Sequence, residues 1–179
     1  MRQLPARFRT TASGFTLMEL LVVLVLVGIV ASLATLSIGD GAERQLRTET
    51  QRLVGVLQLA RDELLITGDA ERALGLRRDS YSFLQLVILD DSTREWQPMV
   101  DQQLGPWQLE QGVVELEYEQ EGRRQVLPQT AGWEPNVRMG NTGEMTPSLI
   151  TLRVPGKPLE RHIQISLEGS IEVLDALPE

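Results

Sequence analysis

The distribution of apolar positions changes character twice along the chain. From Phe15 to Ile38 the sequence is a predominantly apolar run of 24 residues with one charged side chain, Glu19, at its leading edge. As a helix it would be about 36 Å long at ~1.5 Å per residue, slightly more than the ~30 Å hydrocarbon core of a bilayer. Gly39-Asp40-Gly41 follows, and two glycines at about 1 kcal/mol each predict a bend or local unwinding. The pattern then resumes with the period of an amphipathic helix. Leu46, Leu53, Leu57 and Leu64, with Ala60, share one stripe, while Arg44, Arg47, Glu49, Arg52, Arg61 and Asp62 mostly take other positions. Gly68 is expected as a left-handed cap. The reading is one long helix from about Phe15 to Thr67, apolar all round in its first half and on one side in its second. A coiled-coil stalk would need more heptads than the stripe provides.

Beyond Gly68 the period becomes two. Tyr81 to Leu89 alternates in part and then is wholly apolar. Val113 to Glu119 places Val114, Leu116 and Tyr118 on one face and Glu115, Glu117 and Glu119 on the other. Leu149 to Val154 is apolar and β-branched. The stretch Arg161 to Leu167 points Ile163, Ile165 and Leu167 inward, and after a turn at Glu168-Gly169-Ser170 the segment Ile171 to Leu174 returns. Loops are expected at Asp90–Glu95, Gln102–Gly105 and Gly140–Pro147. The fold class is α+β, with a long N-terminal helix packed on a C-terminal antiparallel β domain.

Composition narrows the function. Cysteine is absent, which removes disulfides, thiol nucleophiles and Cys-based zinc sites. The formal net charge is −8; without the first fourteen residues, which hold Arg2, Arg7 and Arg9 and no acid, it is −11. An acidic domain repels phosphate backbones, so no nucleic-acid partner is expected. The basic flank ahead of the apolar run keeps the N-terminus in the cytoplasm and sends the rest across the membrane. The run exceeds the apolar core of a secretory signal, about 7–15 residues, and has no clear small-x-small cleavage site, Ala31–Ala34 being the nearest approach.

Little in the chain suggests chemistry. The only histidine, His162, falls on the polar side of an alternating strand, where exposure is expected. Asp90, Asp91 and Glu95 lack the 12-residue spacing of a calcium loop. The glutamate ladder reads as a solvated strand face, and Trp96, Trp107 and Trp133 as core or edge packing. No glycine-rich phosphate loop or nucleophile elbow is present. No enzymatic activity, cofactor or metal site is expected.

Glu19 is the anomaly. A carboxylate at the centre of a spanning helix costs about 2.5–3.5 kcal/mol, and less near an end. Either its head reaches interfacial water, or it has a cation. Arg9 is ten residues upstream. If the chain were cut after Gly14, the α-amine of Phe15 would stand one helical turn away, at i,i+4.

The order of features — a basic leader, Gly14, then Phe15-Thr16-Leu17-Met18-Glu19 and an apolar run — resembles the class III signal of type IV pilins and type II secretion pseudopilins. The resemblance implies cleavage between Gly14 and Phe15 by a prepilin peptidase, N-methylation of Phe15, and a role for Glu19 in assembly. It divides the chain into a leader at 1–14, a transmembrane half-helix at 15–38, a periplasmic amphipathic half at 39–67 and a β-rich domain at 68–179. Further along, "ARDELLITGD", the short strand "LGLRR", "YSFLQL", Trp96-Gln97-Pro98 and "GNTGEMTPSLITLRV" are similar to the minor pseudopilin H group. The stretch "QLVILDDSTRE" departs from that group, where a shorter turn is expected.

The resemblance implies a pilin-like, non-catalytic subunit at or near the tip of a type II secretion pseudopilus. Its partners would be the minor pseudopilins I, J and K, the major pseudopilin G, the prepilin peptidase and the inner membrane, with the C-terminal domain in the periplasm of a Gram-negative bacterium. Two alternatives stand beside it. One is a minor pilin of a type IV pilus, and the other is a membrane-anchored periplasmic binding module that does not polymerise.

Overall fold

The leucine stripe decides where the core lies. A computed structural model describes residues 17–68, 71–89, 93–130 and 132–174, with side chains at 30–40 not among those described. Helix α1 runs over Leu17–Thr67, and the helical assignment continues through Gly39-Asp40-Gly41. The expected interruption is therefore not a break in the helix, since two glycines inside a 51-residue element weaken it without removing a backbone donor. The chain nevertheless divides into two compact units between Gly39 and Asp40, within that motif.

In the second unit Leu46, Leu53, Leu57, Ala60 and Leu64 are all buried, with Val56 and Thr50 beside them. Thr50 Oγ1 donates to Leu46 O at 2.7 Å, which satisfies its hydroxyl inside the helix. The helix ends where Gly68, at φ +65°, donates its N–H to Leu64 O at 2.9 Å. The expected glycine cap is present.

Among the described residues ten strands follow: β1 Arg72–Leu76, β2 Ser80–Ile88, β3 Arg94–Pro98, β4 Trp107–Gln108, β5 Glu115–Gln120, β6 Arg123–Gln125, β7 Val137–Met139, β8 Ser148–Arg153, β9 Glu160–Ile165 and β10 Ile171–Leu174. They form two antiparallel sheets. The first is ordered β3-β2-β1-β7, with β4 also pairing β2; the second is ordered β10-β9-β8-β5-β6. The first sheet sends Leu74, Leu76, Tyr81, Phe83, Val137 and Met139 into the apolar cluster on the helix stripe. The second sends Leu116, Tyr118, Ile150, Leu152, Ile163 and Ile165. Asn136 ties the sheets together: its Oδ1 accepts from Leu76 N at 2.7 Å and its backbone O accepts from Tyr118 Oη at 2.7 Å.

Three expectations for side chains are corrected. Leu167 is 58% exposed rather than inward, because β9 ends at Ile165 and residues 166–170 form the turn. His162 is 2% exposed rather than solvated. It pairs in register with Thr151 of β8 on one side and Leu174 of β10 on the other, and its Nδ1 lies 2.9 Å from Thr151 Oγ1. Glu115 and Glu117 are not simply solvated either: Arg153 reaches both at 2.9 Å, and Arg124 reaches Glu117 at 2.8 Å.

Candidate functional site

The residues that carry the expected processing chemistry, Gly14 and Phe15, lie outside the described residues. Glu19 is described and stands in the first turn of α1. The side chains from Leu17 to Ile29 around it are exposed. A helix that presents leucine, valine and isoleucine on every side has no core of its own to fill and needs an apolar surrounding. Among the described residues no helix is long and apolar enough to cross a membrane. Phe15, Thr16 and the side chains at 30–38, which complete the expected span at 15–38, lie outside that set.

In the second unit the most heavily built polar cluster sits on the buried side of the helix. Glu49 was expected on the polar face and is 5% exposed. Gln45 Nε2 donates to its Oε1 at 3.1 Å, and Trp107 Nε1 donates to its Oε2 at 3.0 Å. Arg52 lies over the Trp107 ring, 3.5 Å from the centroid. Trp107 is thus an edge residue, as expected, held by a cation on its face and a carboxylate at its nitrogen. Tyr81 adjoins this group. Its hydroxyl and Arg52 Nε are buried without a well-formed hydrogen bond. Loss of hydration pushes the Tyr81 phenol up to about 12, outweighing the pull of the nearby Arg52 charge in the other direction. The cluster fixes the helix to β4 beside β2.

The segment Gly140–Pro147 is positioned by the end of the helix. Gly140 N donates to Glu144 O at 2.9 Å, and Met145 N donates to Leu167 O at 3.1 Å. Gly143 lies at φ +90° directly against Leu65, and a Cβ on Gly169 would collide with Gly143 O. Arg61 Nη1 closes the corner by donating to Gly169 O at 2.7 Å. Gly143 and Gly169, both at positive φ, thus meet the close approach of two loops and a helix.

Among the described residues no group of three or more His, Asp or Glu side chains is placed to hold a metal. His162 has Thr151 and, 3.5 Å from its Nε2, Glu160. Of the acids whose spacing argues against a calcium loop, Asp90 and Asp91 lie outside the described residues. Sequence reasoning missed Glu49 as a buried group; the signal was its place one turn from Leu46 and Leu53.

Comparison with known proteins bears directly on the N-terminal segment. The prokaryotic N-terminal methylation motif matches residues 9–35, a span that takes in Gly14, Phe15 and Glu19. The type II secretion system protein H of Pseudomonas aeruginosa is 30% identical over 167 residues, covering 87% of this chain and 91% of that protein. The protein of the same name from Aeromonas hydrophila is 32% identical over 156 residues, covering 80% of this chain and 82% of that one. In fold, the crystal structure of the minor pseudopilin EpsH from the type II secretion system of Vibrio cholerae superposes with a TM-score of 0.60 at 19% identity, covering 76% of this chain and 98% of that one. The solution structure of E. coli GspH gives 0.59 at 14% identity, covering 76% and 92%.

A helix followed by antiparallel sheets, with a methylation motif at its head, is the architecture of a pseudopilin. The chain belongs to the family of type II secretion system protein H, the minor pseudopilins.

Proposed function

We propose that the chain is a non-catalytic structural subunit at or near the tip of the type II secretion pseudopilus, which drives export of folded proteins across the outer membrane. The observation that carries the reading is the methylation motif at 9–35 joined to a match with protein H over 87% of this chain. In this reading residues 1–14 are a leader, cut between Gly14 and Phe15 by the prepilin peptidase, and the new N-terminal Phe15 is N-methylated. Residues 15–38 anchor the chain in the inner membrane, 39–67 continue the helix into the periplasm, and 68–179 form the β-rich domain there.

Glu19 then has a use for its charge. In the bilayer it waits with its own amine or with water, and in the filament it neutralises an N-terminal amine, giving register to helices whose apolar surfaces otherwise slide. The partners are the minor pseudopilins I, J and K and the major pseudopilin G.

The test is complementation. A strain lacking the chain should retain exoproteins in the periplasm. The wild-type chain should restore secretion, and a chain with a bulky residue in place of Gly14 should not, because the peptidase needs close approach to that backbone. Normal secretion with the Gly14 variant as sole copy contradicts the reading. Intact secretion together with lost pilus-dependent motility would favour the type IV pilus alternative.

A further inference from the structure

We propose that the outer edge of β10 is a docking strand, onto which an extended segment of a neighbouring subunit adds to the second sheet. That segment would carry apolar side chains in alternation with lysine or arginine. The inference rests on the filament-subunit reading and names a surface that such a neighbour would use.

A sheet edge exposes unpaired N–H and C=O groups, and folded chains blunt it with charge, proline, brevity or a cover. Three edges are blunted. β3 begins with Arg94 and Glu95 and ends at Pro98. β6 is three residues long, two of them arginine. β7 is covered: Met139 bridges to Met145, Arg138 O accepts from Thr146 N at 2.9 Å, and Arg138 N donates to Thr146 Oγ1 at 3.1 Å. β10, Ile171-Glu172-Val173-Leu174, has one charge, and among the described residues it pairs only with β9.

The register says which groups are free. Ser166 N donates to Ser170 O at 3.0 Å, and the β9–β10 pairs run from Ile171 opposite Ile165 to Leu174 opposite His162. Bonded and non-bonded pairs alternate in an antiparallel ladder. Glu172 and Leu174 therefore bond to β9, and the N–H and C=O of Ile171 and Val173 point away from it.

Side chains at the edge match the same partner. Val173 lies opposite buried Ile163, on the core side of the sheet, yet is 43% exposed. An added strand would cover it. On the other face Leu174 lines a groove of about 450 Å³ with Pro147 and Leu149, with Glu119 and Glu121 at its far end. Unlike Glu115 and Glu117, the carboxylates of Glu119, Glu121 and Glu172 have no ion pair or hydrogen bond among the described residues. A lysine or arginine placed beside Glu172 on the incoming strand would pair with it across the new ladder, while Glu119 and Glu121, on β5 and the turn after it, lie three strands further in. A second copy of the same edge would bring more carboxylates, which selects a different subunit. Main-chain bonds would give the affinity and the alternate side chains the specificity.

Amide hydrogen exchange on the full-length chain in detergent tests this, first alone and then co-purified with full-length subunits G, I, J and K. Alone, the amides of Ile171 and Val173 should exchange freely while those of Glu172 and Leu174 are protected. In the complex, Ile171 and Val173 should slow at least tenfold. Val173→Pro removes an outward donor and leaves the β9 ladder alone, so co-purification should fall at least tenfold with the unfolding midpoint nearly unchanged; should that variant fold poorly, wild-type exchange alone decides. A complex that forms with unchanged exchange at Ile171 and Val173 overturns the docking strand and leaves the functional reading standing. The absence of any complex with all four subunits overturns both.

Discussion

Replacing Glu19 by alanine should separate processing from assembly. The carboxylate lies past the expected cleavage point and stands in the first turn of α1, so cleavage should be largely intact. Cross-linking of the variant into the filament should fall several-fold, because the N-terminal amine of a neighbour loses its counter-charge; undiminished cross-linking would contradict this role. Tyr81 offers a residue-scale test within the folded domain. Its phenol is held well above the ordinary value of 10, at about 12. The folded state thus binds that proton more tightly than the unfolded chain does. The stability this contributes is fully present below pH ~10 and is lost as pH rises towards about 12. At ~1.36 kcal/mol per unit the loss is of order 2 kcal/mol. Tyr81→Phe should cost little at neutral pH, since the hydroxyl has no well-formed hydrogen bond to lose, and should flatten the alkaline fall. Denaturant midpoints at pH 8 and pH 11 measure both effects, and an unchanged alkaline slope in the variant would refute the assignment.

At the scale of elements, the stripe on α1 is the test. Leu57 is completely buried in the cluster shared with both sheets. Leu57→Ala should cost ~2–5 kcal/mol, read as a shift in the urea midpoint. A shift near zero would place the stripe outside the core. This element was legible in the sequence because leucines at 46, 53, 57 and 64 and an alanine at 60 repeat over five turns, long enough for the period to show. The longer strands were legible for the same reason: Val114, Leu116 and Tyr118 alternate with three glutamates. β3, β4, β6 and β7, at two to five residues, are too short to display a period. They form because longer neighbours offer them an edge. His162 misled because alternation assigns a face and not an exposure; it sits between two partner strands, and Thr151 beside it, itself buried, meets its Nδ1 at 2.9 Å. Leu167 misled because the alternation continues in sequence past the point where pairing stops. Glu49 was concealed by its type, since a charge beside a stripe reads as solvent-facing until Trp107, 58 residues away, is seen to donate to it.

At the scale of the whole molecule, the residues from Asp40 on form a unit with their own core. That unit excludes the basic leader, so the excess of acid is carried there. A fragment beginning near Gly41 should be soluble and monomeric, since like charges oppose self-association. Sedimentation should show one monomeric species that forms mixed species with the soluble domains of minor subunits I and J; a stable homodimer without mixed species would favour the non-polymerising alternative. The same acidity predicts no salt-sensitive binding to DNA.

The central claim is that Gly14 marks a cut and that the apolar helix beginning at Phe15 is kept as the working end of the subunit. Intact-mass spectrometry of the full-length protein extracted from membranes tests it most directly. The predicted species begins at Phe15 and carries one added methyl group, and it disappears in favour of the uncut chain when the prepilin peptidase is absent. A membrane protein that still begins at Met1 in the presence of the peptidase, or one cut after the apolar run, would contradict the account.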